Sequence, residues 1–413
     1  MTRSELLHDR ANRKVVFAMD QRVLSILSRV SIFATKQYQN QQLDRPTMTA
    51  EICQKLVSLL LPYLRETRRL SKHAKKDILD TICALTPFLE DATSHLTFLG
   101  MLLLPGKNAP EGEVRVALVN LLVAISKRPA TSWLSDSVAL VLELNAWDTR
   151  RIDEFDYERR LRACNDFSES FQQMECFPRR QVQIVLYQLV HTLNEADFAL
   201  RKGALDTVSA IVKYVSQHLD EDESRSASND NLAAVYGGNV AMLTAVLMPA
   251  IKAGIKSQSV AVRKTFVQLL AEISDAFELV PVDKYPLLHL DVRFLINKTD
   301  VEADIIHGLT HLQMHRRAKA LRRFRANHSD ADAGNLLRPS TLAHIFLPLV
   351  THILYETVKA ADYLIVDEAI STISSIARHL PWSRYYSVIR LLLAQLQRRS
   401  EKEKVFIKAI CAC

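Results

Sequence analysis

Glycine and proline, the two residues that punctuate loops, are scarce, with 9 and 13 among 413 residues against average usages of roughly 7% and 5%. With about half of the residues apolar, helix nearly throughout is the expectation. The few glycines open no GxxxxGK and no GxGxxG, so no phosphate-cradling loop of the nucleotide-binding kind is encoded. GxSxG and HExxH are absent too, which removes the hydrolase nucleophile elbow and the zincin metal pair. There is no CxxC. The six cysteines, at 53, 83, 164, 176, 411 and 413, sit mostly in apolar helical runs and read as buried thiols of a reducing compartment. No apolar run approaches the roughly 18 residues of a membrane helix, and the opening MTRSELLHDRANRK lacks a signal-peptide core. Together these absences point away from catalysis, a cofactor, a membrane or a small-molecule substrate. They point toward a soluble intracellular chain that offers surface.

What the sequence does contain is helical periodicity. From Ser259 onward, Val262, Phe266, Leu269, Leu270, Ile273 and Phe277 share one stripe, and Lys264, Gln268, Glu272 and Asp275 lie opposite. The segment before it, 240–255, is apolar almost all round through Met242, Leu243, Val246, Leu247, Met248 and Ile251. Such a pair cannot bury itself alone and needs copies above and below. Around Pro62, Pro249 and Pro348, apolar residues stand six, three, two and one positions before the proline and two after it. That threefold recurrence predicts proline-bent first helices. Val114-Arg115, Leu200-Arg201 and Val262-Arg263 each open an apolar-periodic second helix. Arg201 projects into its own stripe, so it needs a carboxylate or carbonyls, and Asp197 is the nearest acid.

This combination resembles HEAT repeats, so the expected class is all-α, a HEAT-like α-solenoid of stacked antiparallel helix pairs. Arg115, Arg201 and Arg263 are its structural arginines. Their spacings of 86 and 62 residues predict an irregular period with insertions. The expected divisions are a helical block at 1–218, an acidic insertion at 219–238 and repeats at 239–325 ending in a basic helix. A connector at 326–340 and further repeats at 341–413 follow. Trp147 to Met174 reads as a polar helix joining two blocks.

The formal net charge of +7 is a patch, because residues 311–325 hold six Arg or Lys and no acid. On a wheel begun at Ile305, Leu309, Ala320, Leu321 and Phe324 face inward, and His315, Lys319, Arg322 and Arg325 face outward. Arg316 and Arg323 flank the core, and Arg317 falls within the apolar stripe as a fourth structural arginine. A solvated face, or pairing within the chain, is the plain reading of such a run. The sharper one is a ridge of Arg316, Lys319, Arg322, Arg323 and Arg325 that binds RNA backbone or an acidic partner in a salt-dependent way. No aromatic residues alternate with the bases, which argues against base stacking. His307, His311 and His315 recur every fourth residue, but that face carries no Cys or acid at helical spacing, so no metal is assigned.

Thr299 to Phe324 (TDVEADIIHGLTHLQMHRRAKALRRF) and the later His379-Leu380-Pro381-Trp382-Ser383 add a family resemblance. An acidic lead-in, then His311, His315, Arg316, Arg317, Ala318, Ala320 and Leu321, then Leu380, Trp382 and Ser383, resembles the central to C-terminal region of the small-subunit processome component 20 (down-regulated-in-metastasis) HEAT-repeat family. Arg150 to Glu154 with Tyr157 to Leu161 resembles another stretch of it. The resemblance implies a nucleolar scaffold without catalytic activity, associated with U3 small nucleolar RNA and needed for early pre-18S rRNA processing. Its implied partners are pre-rRNA, the U3-containing particle and other processome proteins. Family members are several times longer, so the chain is expected to be a fragment or a truncated gene product. The alternative is another HEAT array, a transport receptor or phosphatase-type scaffold, that binds only protein.

Overall fold

The apolar stripes become helices in the computed structural model, which describes residues 29, 32, 49–65, 70–106, 109–148, 154–172, 179–219, 238–300, 302–330, 337–356, 363–398 and 400–413. Among these residues there is no strand, only an isolated bridge between Trp147 and Phe155. None of their helices is long and apolar enough to cross a membrane. Two compact units, Met1–Thr192 and Leu193–Cys413, make up the chain. This division falls inside the expected 1–218 block. Residues 220–237 of the acidic insertion and 331–336 of the connector lie outside the described residues.

The first unit contains α1 (Ala50–Arg65), α2 (Lys72–Leu85), α3 (Leu96–Met101), α4 (Glu113–Ser126), α5 (Ser135–Leu144), α6 (Tyr157–Gln172) and α7 (Arg179–Thr192). Ser71 starts α2 by accepting the Ala74 amide at 3.2 Å. Pro87 follows its end within a 3₁₀ turn. α2 packs on α4, α4 on α5, and α5 on both α6 and α7. The expected polar helix is α6, which belongs to this unit and lies against α5.

Arg115, 7% exposed, ties three neighbours to α4. It donates to Asn145 Oδ1 (2.6 Å), to the Leu103 carbonyl (3.2 Å) and to Gln188 Oε1 (2.6 Å). Arg160 of α6, not foreseen as structural, is 1% exposed, donates to the Leu144 carbonyl at 2.7 Å and sits 4.6 Å over the Phe155 ring.

The second unit contains α8 (Phe198–Gln217), α9 (Asn239–Gly254), α10 (Val260–Ala276), α11 (Ile305–Leu309), α12 (Met314–Asp330), α13 (Leu347–Glu356), α14 (Tyr363–Arg378), α15 (Trp382–Arg398) and α16 (Glu403–Ala412). The expected pair is α9 with α10, capped by Ser259, which accepts the Val262 amide at 3.4 Å. α10 packs on α8 and α9, α11 on α12, α12 on α14, and α14 on α13 and α16. Each helix thus lends one face to a common interior, as stacked pairs must. Pro62 and Pro249 lie inside α1 and α9. Pro348 is the second residue of α13, directly after a π-helical turn at Leu342–Phe346. A widened turn there eases the clash between the ring and the carbonyl four residues earlier.

Arg201 and Arg263 repeat one geometry. Arg201 donates to the carbonyls of Glu195 (2.7 Å) and Ala196 (2.6 Å), six and five residues before it. Arg263 does the same to Ser257 (2.6 Å) and Gln258 (3.0 Å). The carboxylate expected to serve Arg201 is used otherwise, since Asp197 caps α8 by accepting the Leu200 amide at 2.8 Å. Arg115 does not share this motif, because its helix starts after Gly112, at φ 54°, rather than after a capping side chain. Of the cysteines, Cys53 and Cys164 are buried as expected. Cys411 is exposed, and Cys176 lies outside the described residues.

A buried polar chain sits where residues 289–291 meet the start of the 339–356 helix. Thr341 Oγ1 donates to Asp291 Oδ1 (2.8 Å) and therefore accepts from His289 Nδ1 (2.9 Å), while Asp291 Oδ2 takes the Arg338 amide (2.8 Å). His289 adopts φ 55° and is 1% exposed. Burial first, then the charges of Lys252, His344 and Arg338, pushes its pKa from 6.5 down to about 4.

Two consequences are measurable. A Cβ on Gly254 would lie 1.9 Å from the Phe266 ring, so Gly254→Ala is expected to cost about 1–3 kcal/mol by overpacking, read as a lower urea midpoint. His289 stays neutral in the fold while the unfolded chain takes up a proton. Its share of stability is therefore whole above the unfolded pKa of 6.5 and is lost as pH falls toward about 4, at most about 3 kcal/mol. His289→Asn, which tolerates the left-handed backbone, should flatten the urea midpoint between those pH values; an unchanged profile would show that His289 is not the group responsible.

Candidate nucleic-acid interface

The basic run does not occupy one continuous helix. Asp304 starts α11 by accepting the His307 amide (2.8 Å), and Thr310 ends it after five residues. His311 Nδ1 then accepts the Gln313 amide (3.0 Å), and α12 begins at Met314. Gly308 lets α11 fold back on α12, since a Cβ there would come within 2.8 Å of the Ala320 Cβ. The wheel from Ile305 is thus broken at 310–313, and His307, His311 and His315 belong to a helix, a turn and another helix. No group of three or more metal-ligating side chains occurs among the described residues. Within α12 the inward positions are as read, with Ala320, Leu321 and Phe324 buried, and Leu309 is buried on α11.

Each of the six cations meets an acid or carbonyl brought from elsewhere in the sequence. Glu302 lies 3.4 Å from Arg316 and 3.8 Å from Lys319, and its carbonyl accepts from Arg323. Glu368 of α14 takes Arg322 at 2.6 Å and Arg325 at 2.5 Å. Arg325 also donates to the Glu368 carbonyl at 2.9 Å. Glu356, at the end of α13, takes Arg317 at 3.5 Å and is shared with Arg263.

Three carboxylates therefore neutralise half of the run's formal charge. The long, exposed contacts to Glu302 contribute little, but Glu368 is 15% exposed and holds two guanidinium groups. Burial alone would raise its pKa; the hydrogen bonds from Arg322 and Arg325 outweigh that and hold it below the usual 4.5. Arg325, expected on the outer side, is turned inward at 25% exposure because α14 packs along that flank. Arg317 lies inward as read, at 17%. Arg316, Lys319 and Arg322 keep about half of their surface in solvent.

A second set of cations was not legible. Lys252 stands in the last turn of α9 and Lys256 just beyond it, and Arg384 and Arg398 lie near the two ends of α15. No side-chain ion pair or hydrogen bond of theirs occurs among the described residues. Lys256, Arg384 and Arg398 line an open cleft of about 770 Å³. In the chain Lys252, Lys256 and Arg384 are single charges among apolar or polar residues, Arg398 opens the mixed-charge run Arg398 to Lys404, and the one signal near Arg384 was the Trp382-Ser383 motif before it.

Residues 4–259 match the family model described as U3 small nucleolar RNA-associated protein 20, N-terminal. The chain belongs to this family. It is 22% identical over 309 residues to U3 small nucleolar RNA-associated protein 20 of Saccharomyces cerevisiae, covering 74% of the chain and 11% of that protein. To the Schizosaccharomyces pombe protein of the same name it is 25% identical over 371 residues, covering 86% and 13%. The chain thus spans about an eighth or less of the length of these relatives. The matched model is described as N-terminal, whereas the motifs at 299–386, beyond the matched residues, suggested the central to C-terminal region.

Several motif residues that resemble this U3 small nucleolar RNA-associated family do structural work. Ala318, Ala320 and Leu321 are core, Arg317 is an inward cross-link and Arg160, in the Tyr157 to Leu161 stretch, is buried. Leu380 lines the cleft, and Trp382, 76% exposed, stacks on Tyr385 with centroids 5.5 Å apart. Arg150 to Asp153 lie outside the described residues.

Charge reversal separates the inward cation from the outward one. Arg317→Glu places a carboxylate beside Glu356 and is expected to destabilise the fold by on the order of 3 kcal/mol. Arg316→Glu should stay within about 0.5 kcal/mol. Equal urea midpoints for the two variants would show that Arg317 has no packing role.

Proposed function

We propose that this chain is part of a non-catalytic helical scaffold of the small-subunit processome that supports early pre-18S rRNA processing and 40S subunit biogenesis. The observation that carries the reading is the family match over residues 4–259, with both curated relatives named for U3 small nucleolar RNA association. The architecture suits the role, because stacked helix pairs spend their apolar faces on one another and leave their outer faces to partners. Those partners are pre-rRNA, the U3-containing particle and other processome proteins, and the place of action is the nucleolus. No cofactor and no catalytic residue enter the proposal. On α12 the surface offered to RNA or to an acidic partner is Arg316, Lys319 and Arg322. Arg323 and Arg325 contribute to its field rather than to direct contact.

A protein-only scaffold is the second reading, and one observation favours it. The cations of α12 already have Glu302, Glu356 and Glu368 as counter-charges, so that helix has less need of an outside polyanion. The two readings part on one experiment. Tagged chain recovered from nuclear extract should bring down U3 small nucleolar RNA well above an unrelated helical-repeat control, together with processome proteins. Protein recovery with no U3 enrichment would sink the processome reading and leave the protein-only scaffold.

A further inference from the structure

The sequence concentrates its positive charge in residues 311–325, but the fold leaves it uncompensated elsewhere. α15 turns one face toward the cleft, with Arg384, Val388, Leu391 and Arg398 along it. The two arginines are fourteen positions apart, so their backbones stand about 21 Å apart along the helix. Lys256 and His352 border the same opening from α9 and α13, and no Asp or Glu is among the lining residues. Lys252 lies in the last turn of α9, and Lys256 in the turn that follows it. The Lys252 ammonium is held below its ordinary pKa by burial and then by Lys256 and Arg384. His344 is pushed down likewise, by burial and then by Lys252, Arg384 and Lys256. Burial is the first cause of both shifts, and the neighbouring cations add to it in the same direction.

Glu356, the nearest acid on α13, is already engaged with Arg263 and Arg317. Like charges gathered without a counter-charge oppose folding and raise the local anion concentration. A site of this kind suits a ligand that carries its own regular array of negative charge.

We propose that the cleft between α9, α13 and α15 is a ribose-phosphate backbone site for RNA, with Lys256, Arg384 and Arg398 as its phosphate contacts and Lys252 behind them. The floor of Leu347, Pro348 and Val388 accepts the less polar sugar edge while the rim cations meet phosphates. A strand of a duplex presents a charge about every 3.4 Å, so the 21 Å span faces several phosphates at once. A compact mononucleotide is a poorer match, having neither a glycine cradle nor the length to reach both arginines. RNA is preferred to an acidic peptide because both relatives carry RNA association in their names. In that respect the inference rests on the function proposed above.

The test uses the full chain and a labelled polyuridylate oligomer of about 20 nucleotides, long enough to exceed the usual single-strand site sizes. An RNA duplex of the same charge is the second probe. Binding is followed by fluorescence anisotropy across a salt series. Four cations predict a slope of log affinity against log salt of about −3 for the single strand. The triple variant Lys256→Gln, Arg384→Gln, Arg398→Gln should reduce that slope by about 2, whereas Arg316→Gln, Lys319→Gln, Arg322→Gln on α12 should move it by less than about 1. Arg384→Lys, which keeps the charge, should retain the slope.

All these side chains are exposed or half-exposed, so no variant should melt below the parent chain, and the cleft variant, relieved of like-charge repulsion, should melt level with it or slightly above. An unchanged slope in the cleft variant, a loss confined to the α12 variant, or no RNA affinity in the parent chain overturns the proposal. So does polyglutamate of equal charge competing as well as RNA, which would assign the cleft to an acidic protein. U3 recovery from extract without RNA affinity of the purified chain would remove the cleft and leave the scaffold reading. RNA affinity through the cleft without U3 recovery would do the reverse.

Discussion

One interaction locks the start of α8 and the start of α10 each to the turn before it, a buried guanidinium that donates to two carbonyls of that turn. A helix C-terminus leaves carbonyls without intrahelical partners, and burying them unpaired costs on the order of 1–3 kcal/mol each. Arg201 and Arg263 answer that need six and five residues back along the chain. Asp197 and Ser259 meanwhile satisfy the opposite end, the free amides of the new helix. The turn is thereby closed from both sides, and its geometry fixes how the helix pair meets. Packing follows from that, since α10 can settle on α9 only with the hairpin held and with Gly254 leaving room for Phe266. Arg263 extends the lock through Glu356, which Arg317 shares, so that α10, α12 and α13 converge on one carboxylate.

That convergence explains the fate of the basic run. Read along the chain, residues 311–325 contain no acid, which left a cationic ridge and pairing within the chain both open. In space, Glu302, Glu356 and Glu368 arrive from before α11, from the end of α13 and from α14. Local density of charge in a sequence counts only neighbours in the chain. Compensation depends on neighbours in the fold, which sit 39 and 46 residues away for the Arg317–Glu356 and Arg322–Glu368 pairs.

What was legible in the sequence was whatever depends on short range. The stripe from Val262 to Phe277, its Ser259 cap, the all-round apolar helix before it and the inward Ala320, Leu321 and Phe324 needed only periods and caps. The break at 310–313 was missed because Thr310 to Gln313 hold no proline or glycine. The turn is made by a hydrogen bond to His311 and by the close approach of Gly308 to Ala320. Arg160 was missed because an arginine in a run with Glu158, Arg159 and Arg162 looks solvated. Only the packing of α6 on α5 shows it aimed at the Leu144 carbonyl and the Phe155 ring.

Candidate polyanion contacts in a stacked helical protein differ by their compensation in the fold. A cation contributes binding free energy to the extent that an anion finds it unpaired in the free protein; one already held by a carboxylate must first give up that partner. Arg325, with its three acceptors on α14, would exchange good hydrogen bonds for new ones and gain little. Lys256, Arg384 and Arg398 give up only water and relieve their mutual repulsion, so each phosphate they meet counts nearly in full. Solvent exposure alone does not distinguish these cases, because Arg322 is half-exposed and yet paired. What separates them is whether the stack has supplied a counter-charge, and around the end of α9 and the cleft face of α15 none is found among the described residues.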